Sequence, residues 1–139
     1  MTLLIGAWYN EPGYKFNFSH KVDLFIREQV TSVIFSKYHL FDRDKTWYLN
    51  LVVATDSKTE ELEVKGPEVR KRAKMIDYGL WLPYMKITTS AYPLKSYINY
   101  FLKALKIVFI NYGVSKDDFD EIEEACMSEI LNNPIYENA

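Results

Sequence analysis

The sequence predicts an α+β domain in which a largely antiparallel sheet of about four or five strands packs with three helices, two of them consecutive at the C-terminus. Three observations carry this expectation. Segments of period-two alternation fall before residue 84, two long stripes at three- and four-residue spacing follow residue 93, and one earlier helical stripe lies among the strands.

The elements follow in order. Leu3 to Tyr9 is short and apolar, and Asn10-Glu11-Pro12-Gly13 is a turn signal, so the segment reads as a strand. Tyr14, Phe16 and Phe18 alternate with polar residues and read as a second strand paired with the first. Ser19 is positioned to cap a helix from about His20 to Tyr38, whose stripe is Val22, Phe25, Ile26, Val30, Val33 and Ile34. The β-branched run 30–34 leaves its second half open to an extended conformation.

Trp47 to Thr55 alternates clearly and, after the turn Asp56-Ser57-Lys58, is expected to form a hairpin with residues 61–65, a strand with one wet face. Gly66-Pro67 then breaks that strand, and residues 68–74 read equally as basic strand or helical turn. Met75 to Tyr84 reads as a strand ending at Pro83. Pro93 opens a long helix where its missing N–H costs nothing, and Gly113 ends it. Ser115 caps the last helix with Asp118 in a box-like role, and Asn132-Asn133-Pro134 closes it.

Composition fits one domain spanning residues 1–139. Hydrophobic residues make up 48% and charged residues 26%, ordinary globular usage, and 16% aromatics supply a large core. The single cysteine, Cys126, excludes an internal disulfide and lies on the apolar side of its helix, where it reads as a small buried hydrophobe. The N-terminus lacks the basic start of a signal peptide, and 94–110 carries three lysines, too many for a membrane span. A cytoplasmic location is therefore expected, with no membrane partner. A formal net charge of −2 argues against direct nucleic-acid binding driven by overall charge.

The charge is uneven. Residues 117–124 hold six carboxylates and no base. On a helix, Asp117, Asp120, Glu121 and Glu124 share the face opposite Phe119, Ile122, Cys126 and Ile130. Helix-dipole stabilisation accounts for acids in the first turn but not for Glu121, Glu123 and Glu124, which repel their acidic neighbours at helical spacing. A solvated face and a docking surface for a basic partner both remain open. Asp42 and Asp44 form a second acidic loop.

Catalytic motifs are not evident, and no catalytic residue, metal ligand or cofactor is assigned. His20 and His39 are isolated, the glycines form no phosphate loop, and no nucleophile elbow occurs. Arg70, Lys71, Arg72 and Lys74 read as charges guarding an edge strand, with phosphate binding as the alternative. Tyr100, Ile107 and Ile110 lie off the main stripe of the long helix and are expected in the core, with an exposed apolar patch for a partner or a second copy as the alternative. An aromatic pocket built from Trp47, Tyr48, Tyr78, Trp81 and Tyr84 would instead suit a small-molecule-binding or enzymatic domain.

In the second half, Gly66-Pro67, then Trp81-Leu82-Pro83-Tyr84, an aromatic helix with Tyr97 and Phe101, and an acidic helix closing on Asn132-Asn133-Pro134-Ile135-Tyr136 resemble bacterial immunity proteins of polymorphic or contact-dependent growth inhibition toxin systems. The likeness covers about residues 60–137 and points to the immunity protein 39 family. It implies a cytosolic, non-enzymatic antidote whose partner is the C-terminal domain of a cognate toxin, often a nuclease. It supplies no fixed binding residues. Exposure and charge nominate Asp117, Asp120, Glu121, Glu124, Asp42 and Asp44 for partner binding, and leave the oligomeric state open.

Overall fold

A computed structural model describes residues 1–38 and 47–133. Strand β1 (Thr2–Tyr9) leads through a 3-10 turn at Pro12–Tyr14 into helix α1 (Ser19–Lys37). Strands β2 (Tyr48–Thr55), β3 (Glu63–Arg70) and β4 (Met75–Trp81) follow. Helices α2 (Tyr84–Thr88), α3 (Pro93–Ile110) and α4 (Lys116–Asn132) complete the order.

The α+β class holds, but the sheet is mixed. Its order is β1-β2-β4-β3, with β1–β2 and β2–β4 parallel and only β3–β4 antiparallel. The expected hairpin between 47–55 and 61–65 does not form, because β4 takes the place beside β2 and β3 becomes the outer strand. The expected strand at 14–18 is also absent. Pro12–Tyr14 turns tightly, and Phe16 drops into the core against Phe18, Tyr84 and Tyr97. Its aromatic alternation comes from a loop crossing the core rim. Helix α1 stays helical to Lys37, so packing of Val30 and Ile34 at full burial overrides their β propensity. Phe18, not Ser19, is its N-cap. Residues 84–88 form a helix too short to show a period.

Helices cover one face of the sheet. Leu49, Leu51 and Val53 of β2 are fully buried with Ile5, Tyr78 and Leu80 beneath α1 and α3, in one core. Each such aliphatic side chain contributes about 1.5–3 kcal/mol. Helix α3 presents Leu94, Tyr97, Ile98, Phe101, Leu105 and Val108 inward, as its stripe predicts. Gly113 has φ +86 and its N–H reaches the Ile110 carbonyl, ending α3 where expected. Helix α4 is the outer layer: Phe119 meets Phe109, and Ile122, Cys126 and Ile130 are buried.

Strand β3 runs through Gly66-Pro67 instead of breaking there. A register shift between Lys65 and Glu68 absorbs one extra residue. Gly66 adopts φ +129, and a Cβ there would stand 2.7 Å from the Asp77 carbonyl oxygen. Gly66→Ala is therefore expected to lose about 1–3 kcal/mol in urea unfolding, whereas Gly13→Ala, whose Cβ meets nothing within 4 Å, changes stability little. Equal stabilities of the two variants would remove this constraint.

Candidate functional site

The outward side of α4 is the strongest charged feature. The helix begins where the Asp118 amide donates to the Ser115 hydroxyl at 3.1 Å, the cap read from the sequence. Seven of its residues are acidic against one lysine, Lys116. Asp117, Asp120, Glu121 and Glu124 are all exposed on the side away from the core, as the spacing predicts.

The four do not behave alike. Asp120 takes the Lys106 ammonium of α3 at 3.1 Å, and Glu121 takes Lys37 at the end of α1 at 2.9 Å. Both pairs lie at the solvent-exposed surface, where screening leaves an ion pair little weight in stability. Their larger effect is to fasten α4 across α1 and α3 and to mask two of the four charges. Asp117 and Glu124 have no cation within ion-pair distance among the described residues. Asp42 and Asp44, also nominated from the sequence, lie outside the described residues, as does His39.

Asp118 belongs to the fold. Its carboxylate accepts from the Tyr38 hydroxyl and from Ser115, and these bonds hold its pKa below the usual carboxylate value. Burial, and then the same bond to Asp118, push the Tyr38 phenol up to about 12. Thus α1 and α4 are joined by one tyrosine–carboxylate contact beside the Lys37–Glu121 pair.

The surroundings add apolar groups. Ile107 and Ile110 are each 49% exposed, correcting the expectation that they belong to the core; α4 packs on the neighbouring side of α3, where Lys106 and Phe109 face it. Tyr92 and Leu131 are also exposed at the far end of the α3–α4 pair. A shallow depression of about 310 Å³ lies there between Tyr92, Lys95, Ser96, Asn99 and Met127.

The residues of the alternative aromatic pocket do not gather. Tyr78 faces the helices and its hydroxyl lies 3.2 Å from that of Tyr112. Trp81 meets Trp8 edge-on at 6.2 Å, and Tyr84 packs on Tyr14 and Phe16. Tyr48 shares a register row with Met75 and Thr2 at one end of the sheet, while Trp81 lies at the other. Among the described residues, no three His, Cys, Asp or Glu side chains are grouped to hold a metal ion. Cys126 is buried, and desolvation pushes its thiol up to about 12, far from a reactive thiolate. No helix among the described residues is long and apolar enough to cross a membrane.

The basic run also resolves. Arg70 pairs with Asp77, which also accepts from Asn50 at 2.9 Å, and residues 71–74 form the exposed turn between β3 and β4. Strand β3 is an edge, so these charges stand where lateral pairing must be discouraged.

Comparison of the chain with protein-family models, curated proteins and solved structures finds no match. The likeness to immunity proteins rests on the sequence motifs alone.

The Tyr38–Asp118 contact makes a testable contribution. Because the folded pKa of Asp118 lies below its unfolded value, its stabilisation is complete above that value and is lost as pH falls through the folded pKa. Tyr38→Phe is expected to be less stable than the parent above about pH 5, with the difference shrinking as pH falls below about 4 toward the lower folded pKa, in pH-resolved thermal melts. A stability difference independent of pH would exclude the linkage.

Proposed function

We propose that this chain is a binding protein that neutralises a basic protein domain by covering its active or substrate-binding surface, as an immunity protein covers its cognate toxin. The observation that carries this reading is the outward face of α4, where Asp117 and Glu124 remain unmatched by the lysines that engage Asp120 and Glu121. A nuclease or other phosphate-handling domain holds positive potential at its substrate groove. A rigid negative helix competes for that groove and steers encounter.

The same region supplies apolar contact. Ile107 and Ile110 are exposed on α3, whose last turn leads directly into the start of α4. An apolar patch beside charged groups is the usual anatomy of a protein interface, with anchors at the centre and charges at the rim. On this reading the chain makes and breaks no bond, needs no cofactor and works in the cytoplasm.

The first test is whether the reading frame adjacent to that of this chain encodes a secreted protein ending in a basic domain; where it does, that domain is purified and mixed with this chain. The two proteins are expected to form a complex whose association rate falls steeply with salt. The double variant Asp117→Lys/Glu124→Lys should associate at least about tenfold more slowly at low ionic strength, with an unchanged circular dichroism spectrum. Unaltered association kinetics would remove this face from the interface, and absence of any complex would overturn the inhibitor reading.

A further inference from the structure

Among the described residues, no helix or strand covers the sheet face opposite the helices, and its side chains form a pattern with its own logic. Register fixes four rows across the strands. The two inner rows are Leu4–Asn50–Asp77–Glu68 and Gly6–Val52–Gly79–Lys65. Side-chain contacts confirm that these positions share one face: Asn50 donates to Asp77, Asp77 pairs with Arg70, Lys65 stands 4.6 Å from the Trp81 ring centre, and Trp81 meets Trp8. Trp8, on the edge strand, is 53% exposed.

Along β3 the charges on this face read Glu63, Lys65, Glu68 and Arg70, alternating in sign. Reversing the direction of that series gives its electrostatic complement. The register shift at Gly66-Pro67 lies at its centre and keeps Lys65 and Glu68 on the same side. On β1 the same centre falls at Ile5, with Leu4 on one side and Gly6 on the other. No atom lies within 4 Å of where a Gly6 Cβ would be, so a notch stands beside the half-buried Leu4.

We infer that this open face is a self-complementary interface for a second copy of the chain. The two sheets stack face to face about a two-fold axis that lies between them and runs across the strands level with Ile5, Leu51 and Tyr78, which share one register row. That operation lays Leu4 of each copy over Gly6 of the other, Lys65 opposite Glu68 and Glu63 opposite Arg70. An isologous contact requires this reciprocity, in which each residue meets its counterpart's neighbour and the reverse holds too. The internal contact of Lys65 with Glu63 at 3.8 Å is exposed, and Arg70 keeps about half of its side chain in solvent while it holds the less exposed Asp77, so the charges of β3 can also be met across the axis.

Size is consistent with a modest dimer. Four strands spaced about 4.8 Å apart and seven residues rising about 3.3 Å each give a face of roughly 19 by 23 Å. Its accessible area exceeds that projection because side chains stand off it, and it falls at the lower end of specific interfaces. A dissociation constant of about 1–100 µM is the range in which a weak dimer of this size is sought. The face lies across the sheet from α4, so this inference stands or falls separately from the proposed function.

Sedimentation equilibrium of the full chain from about 1 to 300 µM tests it. The mass should rise from 16.4 kDa toward twice that value. Gly6→Lys, which meets open space in the monomer, should stay folded by circular dichroism and remain monomeric. Lys65→Glu and Glu68→Lys should each weaken dimerisation at least about tenfold, and the double swap should restore it by re-forming the pair with signs exchanged. A monomer throughout overturns the inference. So does a dimer that survives Gly6→Lys, or one whose single reversals have no effect or are not rescued by the double swap.

Discussion

Burial of one face of a short mixed sheet is the constraint on which the other features depend. Strand β2 is central, and its inward residues Leu49, Leu51 and Val53 have no solvent contact. Its two neighbours run parallel to it, so each must be reached by a crossover rather than a tight hairpin. Helix α1 supplies one crossover and β3, placed beyond β4, supplies the other. With α1 and α3 sharing one core, the opposite face keeps Leu4, Tyr48, Val52 and Met75 half-buried beside the Trp8–Trp81 pair and the charges of β3.

The acidic helix owes its position to the same arrangement. Once α1 and α3 cover the sheet, their outer sides leave a shelf, and α4 lies across it through Phe119, Ile122, Cys126 and Ile130. The polar contacts at its margin are unequal in kind. Tyr38 and Ser115 hold Asp118 at the start of the helix, while Lys37 and Lys106 restrain the charge of the next turn. Negative potential is thereby moved toward Asp117 at one end and Glu124 further along. The charges that fasten the helix and those that face outward are separate residues on one surface.

Much of this was legible in the sequence because it depends on local periodicity and caps. The stripes of α1, α3 and α4, Pro93 and Gly113 at the ends of α3, and Ser115 at the start of α4 all read directly from residue spacing. Strand pairing did not. Alternation in 48–55 shows that one side is wetter than the other, a pattern shared by an antiparallel hairpin and by a parallel strand covered on one face. Pro67 suggested an end because proline cannot donate to a ladder, yet at the sheet edge, where the register shifts, the strand accommodates it. At the candidate site, exposure of Asp117 and Glu124 followed from helical geometry alone. The lysines that engage Asp120 and Glu121 come from 14 and 84 residues away, beyond the reach of any local pattern.

Arg27 has a wider significance than its single contact suggests. From α1 it donates to the main-chain carbonyl of Ile5, on the outermost strand at that side of the molecule. At the far side, Pro67 and the extra residue beside it spoil the regular ladder. Each flank therefore carries a feature that obstructs the regular addition of a foreign strand.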